Sequence, residues 1–410
     1  MRRRKKTRSL LGIILEKTLN IVKQCENLTN EAIILCAAGV VFVFVFAFAI
    51  WRITLSDPCD GSNIYHSLCQ QYQAGEIAGR LCYTMCLEQE DLFSYCLDDD
   101  GNTKTFLYDQ SIVRVNYTLI SHGDPDLSLQ EGTTVLELRE RMNVYLLQTQ
   151  GHSSIDLLLR LLEFSDFNHD EKISLGEAQS IWQLIHIPEF LYYFIFQKSL
   201  VFPHLNATCG SMYAFQYTPH INLFDKTKTS WFKKVFTNSY KWNLPAWPRR
   251  AKLSVGLLEF VMDIYEEYDN RYLMCDIGPD QFGYTKNHDL LVADVSGIVS
   301  MKKVEWYLRN LTCGSDSQCM YSKQCFSQCD VDAGQCSGKV VRPGLWFVCD
   351  MLQDYILFDA PRYLYFDLKR LLNRCASLDA RRDGIDIEHA ILQEDFKSVL
   401  WNEIVNSPLI

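Results

Sequence analysis

The sequence has no internal repeat, no low-complexity linker and no C-x-x-C pair among its cysteines. The first absence excludes solenoids and propellers, whose mark is self-similarity at a fixed period. The last excludes the common structural zinc sites, whose ligands come as closely spaced cysteine pairs. Positive charge is scarce beyond residue 30. The first thirty residues hold eight Lys/Arg against Glu16 and Glu26, a net of +6, so of the overall −10 the other 380 residues carry −16. An acidic body of this kind argues against nucleic acid as a partner.

What is present starts with length. A chain of 410 residues, 48% hydrophobic and 22% charged, builds one large or two medium domains with a real core. Residues Ala32–Trp51 read "AIILCAAGVVFVFVFAFAIW", twenty without a charge. At 1.5 Å per residue a helix of that length spans about 30 Å, the thickness of a bilayer core. A cleaved signal peptide would need a shorter apolar stretch and small residues at its end, whereas this one ends in Ile50 and Trp51. The basic side is N-terminal, so residues 1–31 are expected in the cytosol and residues 52–410 outside it, as in a type II signal anchor. The tip "MRRRKK" sets topology or serves as an arginine-based retrieval signal of the endoplasmic reticulum. A second apolar run, Phe190–Phe202, is short and carries Gln197 and Lys198, which makes it a core element.

Cysteine use agrees with this topology. Cys25 and Cys36 precede or lie within the apolar run, and fourteen more follow it. Such density belongs to an oxidising lumen, where disulfides are expected. Cys82 and Cys86 stand four apart, on one face of a helix, and are expected to take separate partners. Asn116, Asn206 and Asn310 head glycosylation sequons on the luminal side, and the sequon at Asn27 should be silent.

Short alternating pieces, "FLYD" and "IVRVNYTLI", predict strands, and "TTVLELRERMNVYLLQ" a helix capped by Thr133 or Thr134. A helix entering at Ile155, Leu158, Leu159 and Leu162 leads into "DFNHDEKISLGE". That stretch has EF-hand spacing: Asp166, Asn168 and Asp170 at positions 1, 3 and 5, the Lys172 carbonyl at 7, Ser174 at 9 and Glu177 as the bidentate closer at 12. Oxygen ligands at these steps suit Ca2+. Position 6, normally glycine because its backbone is left-handed, is Glu171, and the alternative is a turn of this shape that binds no metal. Further on, "CGSMYAFQY" predicts a strand, Ala251–Tyr268 a long helix, "DLLVADV" a strand and residues 350–410 amphipathic helices. The cysteine spacings in 313–349 point to disulfides.

Asp276 follows "RYLMC", and Asp294 ends the strand eighteen residues later. Protein kinases use this order, with one loop aspartate as base and a second holding magnesium against the phosphates. "ISLGEA", "PAWPRRAKLSVGLLEFVMDIY", "YLMCD…FGY…HDLLVADV" and "CGSDSQCMYSKQCFSQCD" stand in order behind the anchor and the first cysteine cluster. In these features residues 52–410 resemble the divergent protein kinase domain 1 family of endoplasmic-reticulum type II membrane proteins. The resemblance implies an α+β, disulfide-rich, protein-kinase-like two-lobe fold with an inserted EF-hand, behind one N-terminal transmembrane helix. Its segments would be a cytosolic tail (1–31), anchor (32–51), cysteine-rich segment (52–100), small lobe (101–245) with the EF-hand at 153–187, and large lobe (246–410) with a cysteine-rich insert at 313–349.

Carried over by position, Asp276 is the catalytic-loop aspartate and Asp294 the Mg2+ aspartate toward ATP. Glu140 is the candidate glutamate of the small-lobe helix. Gln281 stands where kinases place an asparagine that ligates a second metal, and Val295-Ser296 replaces Phe-Gly after Asp294. No lysine lies between Lys104 and Lys172 to grip phosphate, and "DDDGN" is not a glycine-rich loop. The expected function is therefore a luminal, calcium-binding pseudokinase of the early secretory pathway that binds secretory-pathway proteins. An active kinase and a non-kinase interaction module are the alternatives.

Overall fold

The computed structural model describes residues 61–121, 129–223, 225–226 and 242–406. The expected tail and membrane anchor, and Cys59, lie outside them. Among the described residues no helix is long and apolar enough to cross a membrane.

Two short helices come first, α1 (Ser62–Gln73) and α2 (Arg80–Cys86). Cys82 and Cys86 do take separate partners, Cys209 and Cys69. The Cys82–Cys209 bond reaches across 127 positions and fastens α2 to a five-stranded antiparallel sheet. Its strands are β1 (Cys96–Asp99), β2 (Thr103–Tyr108), β3 (Ser111–Asn116), β4 (Leu205–Cys209) and β5 (Met212–Gln216), in the order β1-β2-β3-β5-β4. Alternation along "SIVRVN" buries Val113 and Val115 on one face and turns Arg114 to the other. The strand stops at Asn116, short of the predicted stretch. There the Asn116 side-chain oxygen accepts from the Thr118 hydroxyl at 2.7 Å and the Leu119 N–H at 3.3 Å. That local cap starts a short helix, α3 (Tyr117–Ser121).

Four longer helices lie between β3 and β4: α4 (Val135–Gln150), α5 (Ile155–Ser165), α6 (Leu175–Ile185) and α7 (Pro188–Ile195). Thr134 caps α4 by accepting from the Glu137 N–H at 3.2 Å. Gly151 ends the helix in a left-handed turn, φ +68°, and a side chain there would press on the Lys302 and Lys303 backbone. Helix α5 buries Leu157, Leu158, Leu161 and Leu162. The expected stripe included Ile155 and Leu159, which are exposed. The run "LLLRLL" fits two overlapping stripes, and contact with α4 and α6 selects the other one. Helix α7 falls in the second apolar run, and every side chain from Phe190 to Ile195 is buried.

The second half is mostly helical, with α8 (Trp247–Asp263), α9 (Met301–Arg309), α10 (Gly344–Leu357), α11 (Arg362–Ala376) and α12 (Ile385–Asn406). Helix α8 begins four residues before the predicted Ala251 because Pro248 suits a first turn, where no N–H is needed. It ends at Asp263, short of Tyr268, whose backbone is left-handed at φ +52°. The "AWPRR" motif forms a clasp. Trp247 Nε1 donates to the Ile356 carbonyl at 2.9 Å and buried Arg250 to the Tyr355 carbonyl at 2.7 Å, satisfying the free end of α10. Residues from both sides of position 245 share one buried cluster.

His389 on α12 is 3% exposed, stacks on Tyr265, and has no partner for Nε2 among the described residues. Burial pushes its pKa down to about 4, opposed by Asp386. The folded chain refuses a proton that the unfolded chain accepts near pH 6.5. Stability is therefore expected to fall as pH drops from 6.5 to about 4, by about 3 kcal/mol in full. His389→Leu should flatten that part of a pH series of thermal midpoints, and an unchanged slope in the variant would refute the assignment.

Candidate functional site

Strand β6 (Asn270–Met274) pairs with β9 (Ile298–Ser300), and β7 (Phe282–Tyr284) with β8 (Leu290–Val292). Met274 faces Ile298 and Phe282 faces Val292, so the loops 275–281 and 293–297 leave the strands at the same end. They are tied at both ends. The Cys275 N–H donates to the Gly297 carbonyl at 2.8 Å, and the Gln281 carbonyl accepts from the Ala293 N–H at 2.8 Å and the Asp294 N–H at 3.3 Å. Asp276 and Asp294 are thus brought to neighbouring loops, Asp276 exposed and Asp294 half-buried.

The Asp276 loop is braced from outside. Cys275 is bonded to Cys325, and both sulfurs are buried. Beside that bond the Gln324 N–H donates to Asp276 Oδ1 at 3.2 Å, and Gln324 Oε1 accepts from the Ile277 N–H at 2.7 Å. Asp276 has left-handed backbone, φ +58°, which aspartate tolerates better than most residues. Gln281 turns inward, its Oε1 accepting from the Gly278 N–H at 2.8 Å. Its amide nitrogen lies only 2.7 Å from where a Gly297 side chain would begin.

On β3, opposite Tyr213, the Arg114 guanidinium forms an ion pair with Glu189 in the first turn of α7. The Tyr213 hydroxyl donates to the same carboxylate at 3.2 Å. Burial works against the Arg114 charge, but Tyr193, Tyr213 and Glu189 outweigh it and hold its pKa above the usual arginine value. Tyr193 lies on the next turn of α7, stacked on Phe215. Burial pushes its phenol up; Arg114 opposes this, while Glu189 and Asp294 add to it. Asp294 is therefore within electrostatic reach of Tyr193, the ring beside Arg114. Arg114 Nε and the Tyr193 hydroxyl are buried with no hydrogen-bond partner among the described residues.

Two family models match. One, described as the N-terminal cysteine-rich endoplasmic-reticulum part of FAM69, spans residues 28–156, and the other, the protein-kinase domain of FAM69, spans 181–378. The chain belongs to the FAM69 family. This is the divergent protein kinase domain 1 family of the sequence resemblance, so the protein is kinase-like, cysteine-rich and of an endoplasmic-reticulum family. Two solved structures are similar at low level. The crystal structure of WbdD is 9% identical, with 76% of this chain and 50% of that chain covered and a TM-score of 0.29. The Rv3197–erythromycin complex from Mycobacterium tuberculosis is 12% identical, with coverages of 91% and 93% and a TM-score of 0.24. Neither likeness carries weight at these scores.

In the FAM69 chain Glu140 is exposed on α4, and no hydrogen bond or ion pair reaches it among the described residues. A helix carboxylate that does meet a cation of the five-stranded sheet is Glu189, paired with Arg114. The donor set fits a magnesium nucleotide in part: Asp294 offers a carboxylate, and Arg114 and Tyr193 offer buried donors. Gln281 is turned away from a metal-ligand role: its Oε1 faces the Gly278 N–H and its amide nitrogen lies against Gly297. The described cysteines of this chain are disulfide-bonded. Cys313, Cys319 and Cys329 place their sulfurs within 4.8 Å of one another, but all three are in disulfides, with Cys329, Cys336 and Cys313 respectively.

Residues 166–174 join α5 to α6, and the twelve-residue spacing runs on to Glu177 in the first turn of α6. Asp166 accepts from the Asp170 and Glu171 N–H groups at 3.2 and 3.0 Å, Asn168 Oδ1 from the Asp170 N–H at 3.1 Å, and Asp170 Oδ1 from the Lys172 N–H at 2.9 Å. Glu171 takes the left-handed backbone expected of position 6, φ +62°. Ser174 caps α6, and Glu177 Oε2 accepts from the Ser174 N–H and hydroxyl, both at 2.8 Å. Glu177 is 1% exposed, and its Oε1 has no partner among the described residues. A buried carboxylate oxygen left unpaired is costly, and a cation in the loop would relieve it.

Proposed function

We infer that this FAM69 protein binds a magnesium nucleotide between Arg114 and Asp294 and transfers phosphate weakly or not at all. The observation that carries this reading is the Arg114–Glu189 pair beside Tyr193, whose buried phenol feels both Arg114 and Asp294. Arginine at this strand position supplies the cation that no lysine provides. Glu189 and Tyr213 keep the guanidinium in place, and the free Nε and Tyr193 hydroxyl are donors that phosphate oxygens would satisfy. Asp294 would hold Mg2+, which when bound neutralises phosphate charge. Weak transfer is supported by the inward Gln281 and by the hydrogen bond already made to Asp276. An active kinase with Asp276 as base is the second reading, favoured by the completeness of the Arg114–Glu189 pair. In either case the site would lie in the lumen behind the anchor at 32–51, toward proteins of the secretory pathway. Equilibrium binding of a fluorescent ATP analogue to the purified full chain tests the reading. Binding that requires Mg2+ and vanishes in Asp294→Ala is expected; binding in neither metal nor its absence refutes it. Phosphorylation of an added substrate, lost in Asp276→Ala, would select the second reading.

The loop 166–177 would hold Ca2+ through Asp166, Asn168, Asp170, the Lys172 carbonyl, Ser174 and Glu177. The orphan Glu177 oxygen supports this. Calcium at millimolar concentration should raise the thermal midpoint of the full chain, and Glu177→Gln should remove most of the rise. No rise in the unaltered protein would leave the loop a metal-free turn.

A further inference from the structure

Ser296 stands two residues after Asp294, and its contacts occupy both oxygens of that carboxylate. The Ser296 N–H donates to Oδ1 at 2.9 Å and its hydroxyl to Oδ2 at 2.8 Å. Ser296 is exposed and Asp294 half-buried, so the paired oxygens face accessible space. Oxygens bound at neighbouring corners of an octahedral magnesium ion, each about 2.1 Å from the metal, lie about 3 Å apart. The Ser296 Oγ to Asp294 Oδ2 separation of 2.8 Å is that of a hydrogen bond, and it already keeps the hydroxyl beside the carboxylate oxygen within such a span. A serine or threonine hydroxyl on magnesium is ordinary chemistry in nucleotide sites.

Gln281 occupies the position of a kinase's second metal ligand but is withdrawn from it. Its Oε1 is held by the Gly278 N–H, and its amide nitrogen is wedged against Gly297. The Gln281 backbone carbonyl is spent as well, on Ala293 and Asp294.

We propose that Ser296 Oγ, rather than Gln281, is the second protein ligand of the divalent cation held by Asp294. The proposal rests on the reading of Asp294 as the residue for the nucleotide's metal. In the metal-free loop the hydroxyl donates to Asp294. With the cation bound it rotates, turns a lone pair to the metal and points its proton at solvent or a phosphate oxygen. Loss of the phenylalanine-glycine pair after Asp294 then has a chemical purpose, because it places a hydroxyl where kinases have none.

Manganese(II) is the probe, titrated into the full-length protein with a non-hydrolysable ATP analogue and read as free ion by electron paramagnetic resonance. Millimolar calcium is kept present to occupy the 166–177 loop. Ser296→Ala should weaken the Mn2+ affinity about tenfold or more, the scale seen when a metal site loses a supporting group. Ser296→Thr keeps the hydroxyl and should stay near the natural affinity, as should Gln281→Ala. Thermal unfolding of each variant confirms that the fold is retained. Unchanged or tighter binding in Ser296→Ala, with binding lost in Asp294→Ala, overturns the role of Ser296 and leaves the nucleotide reading standing. Mn2+ binding that is indifferent to Asp294→Ala overturns both.

Discussion

Replacing Arg114 with methionine should destabilise the protein by about 2–4 kcal/mol and abolish its magnesium-dependent nucleotide binding. Removing one partner of a buried ion pair typically costs about 3–5 kcal/mol, because the other charge is left without compensation. The value is reduced here because the Arg114 and Glu189 side chains keep 20% and 34% of their exposure. Glu189 would be left facing the Tyr213 hydroxyl and the buried Tyr193 ring with no cation nearby. The double variant Arg114→Met, Glu189→Met removes both charges and should recover most of the stability but none of the binding. Urea unfolding of the two single variants and the double variant measures the coupling. Additive losses would show that the pair does not act as a unit. Nucleotide binding retained in the double variant would remove Arg114 from the site.

The other large effect belongs to the bond between Cys82 and Cys209. Loop-closure entropy grows with the length enclosed, and a separation of 127 positions corresponds to about 5 kcal/mol. Cys313–Cys329 encloses 16 positions and corresponds to about 3 kcal/mol. The pair Cys82→Ala, Cys209→Ala should therefore lower the thermal midpoint well below that of Cys313→Ala, Cys329→Ala. The gap has a local reason too. The bond joins α2 to β4, and Gly79 beside it packs so closely on the Thr208 carbonyl that no side chain fits. Equal midpoints for the two double variants would mean that the cysteine-rich segment is held by its packing alone.

Much of the architecture was legible because it follows from periodicity and punctuation. The cap at Thr134, the left-handed Glu171 and the separate partners of Cys82 and Cys86 could all be read from spacing, whereas Ser174, read only as a calcium-loop oxygen, also caps α6. The pairing of Asp276 with Asp294 came from the family resemblance, since two aspartates eighteen positions apart say little by themselves. The Arg114–Glu189 pair was not legible, since its members lie 75 positions apart and a strand cation was sought as lysine. A signal existed. Glu189 is the one charge in "IPEFLYYFIF", and Arg114 sits inside "SIVRVN". A charge set in apolar sequence has to find a partner when buried. Glu140 drew attention by its place in a well-formed helix, but helix pattern does not tell which carboxylate faces inward. The rotation of the α5 stripe has the same origin: five leucines in six positions offer more than one face, and only tertiary contact chooses.

The bracing of the Asp276 loop by Cys275–Cys325 has a consequence for timing. Kinase activation segments are commonly ordered or released by phosphorylation, so those sites are switched repeatedly after synthesis. Here the loop that carries Asp276 is fixed by a covalent bond between buried sulfurs, which solution reductants reach only when the chain opens. The geometry around Asp276 is therefore set once, during oxidative maturation, and a chain made in a reducing cytosol would be assembled without it.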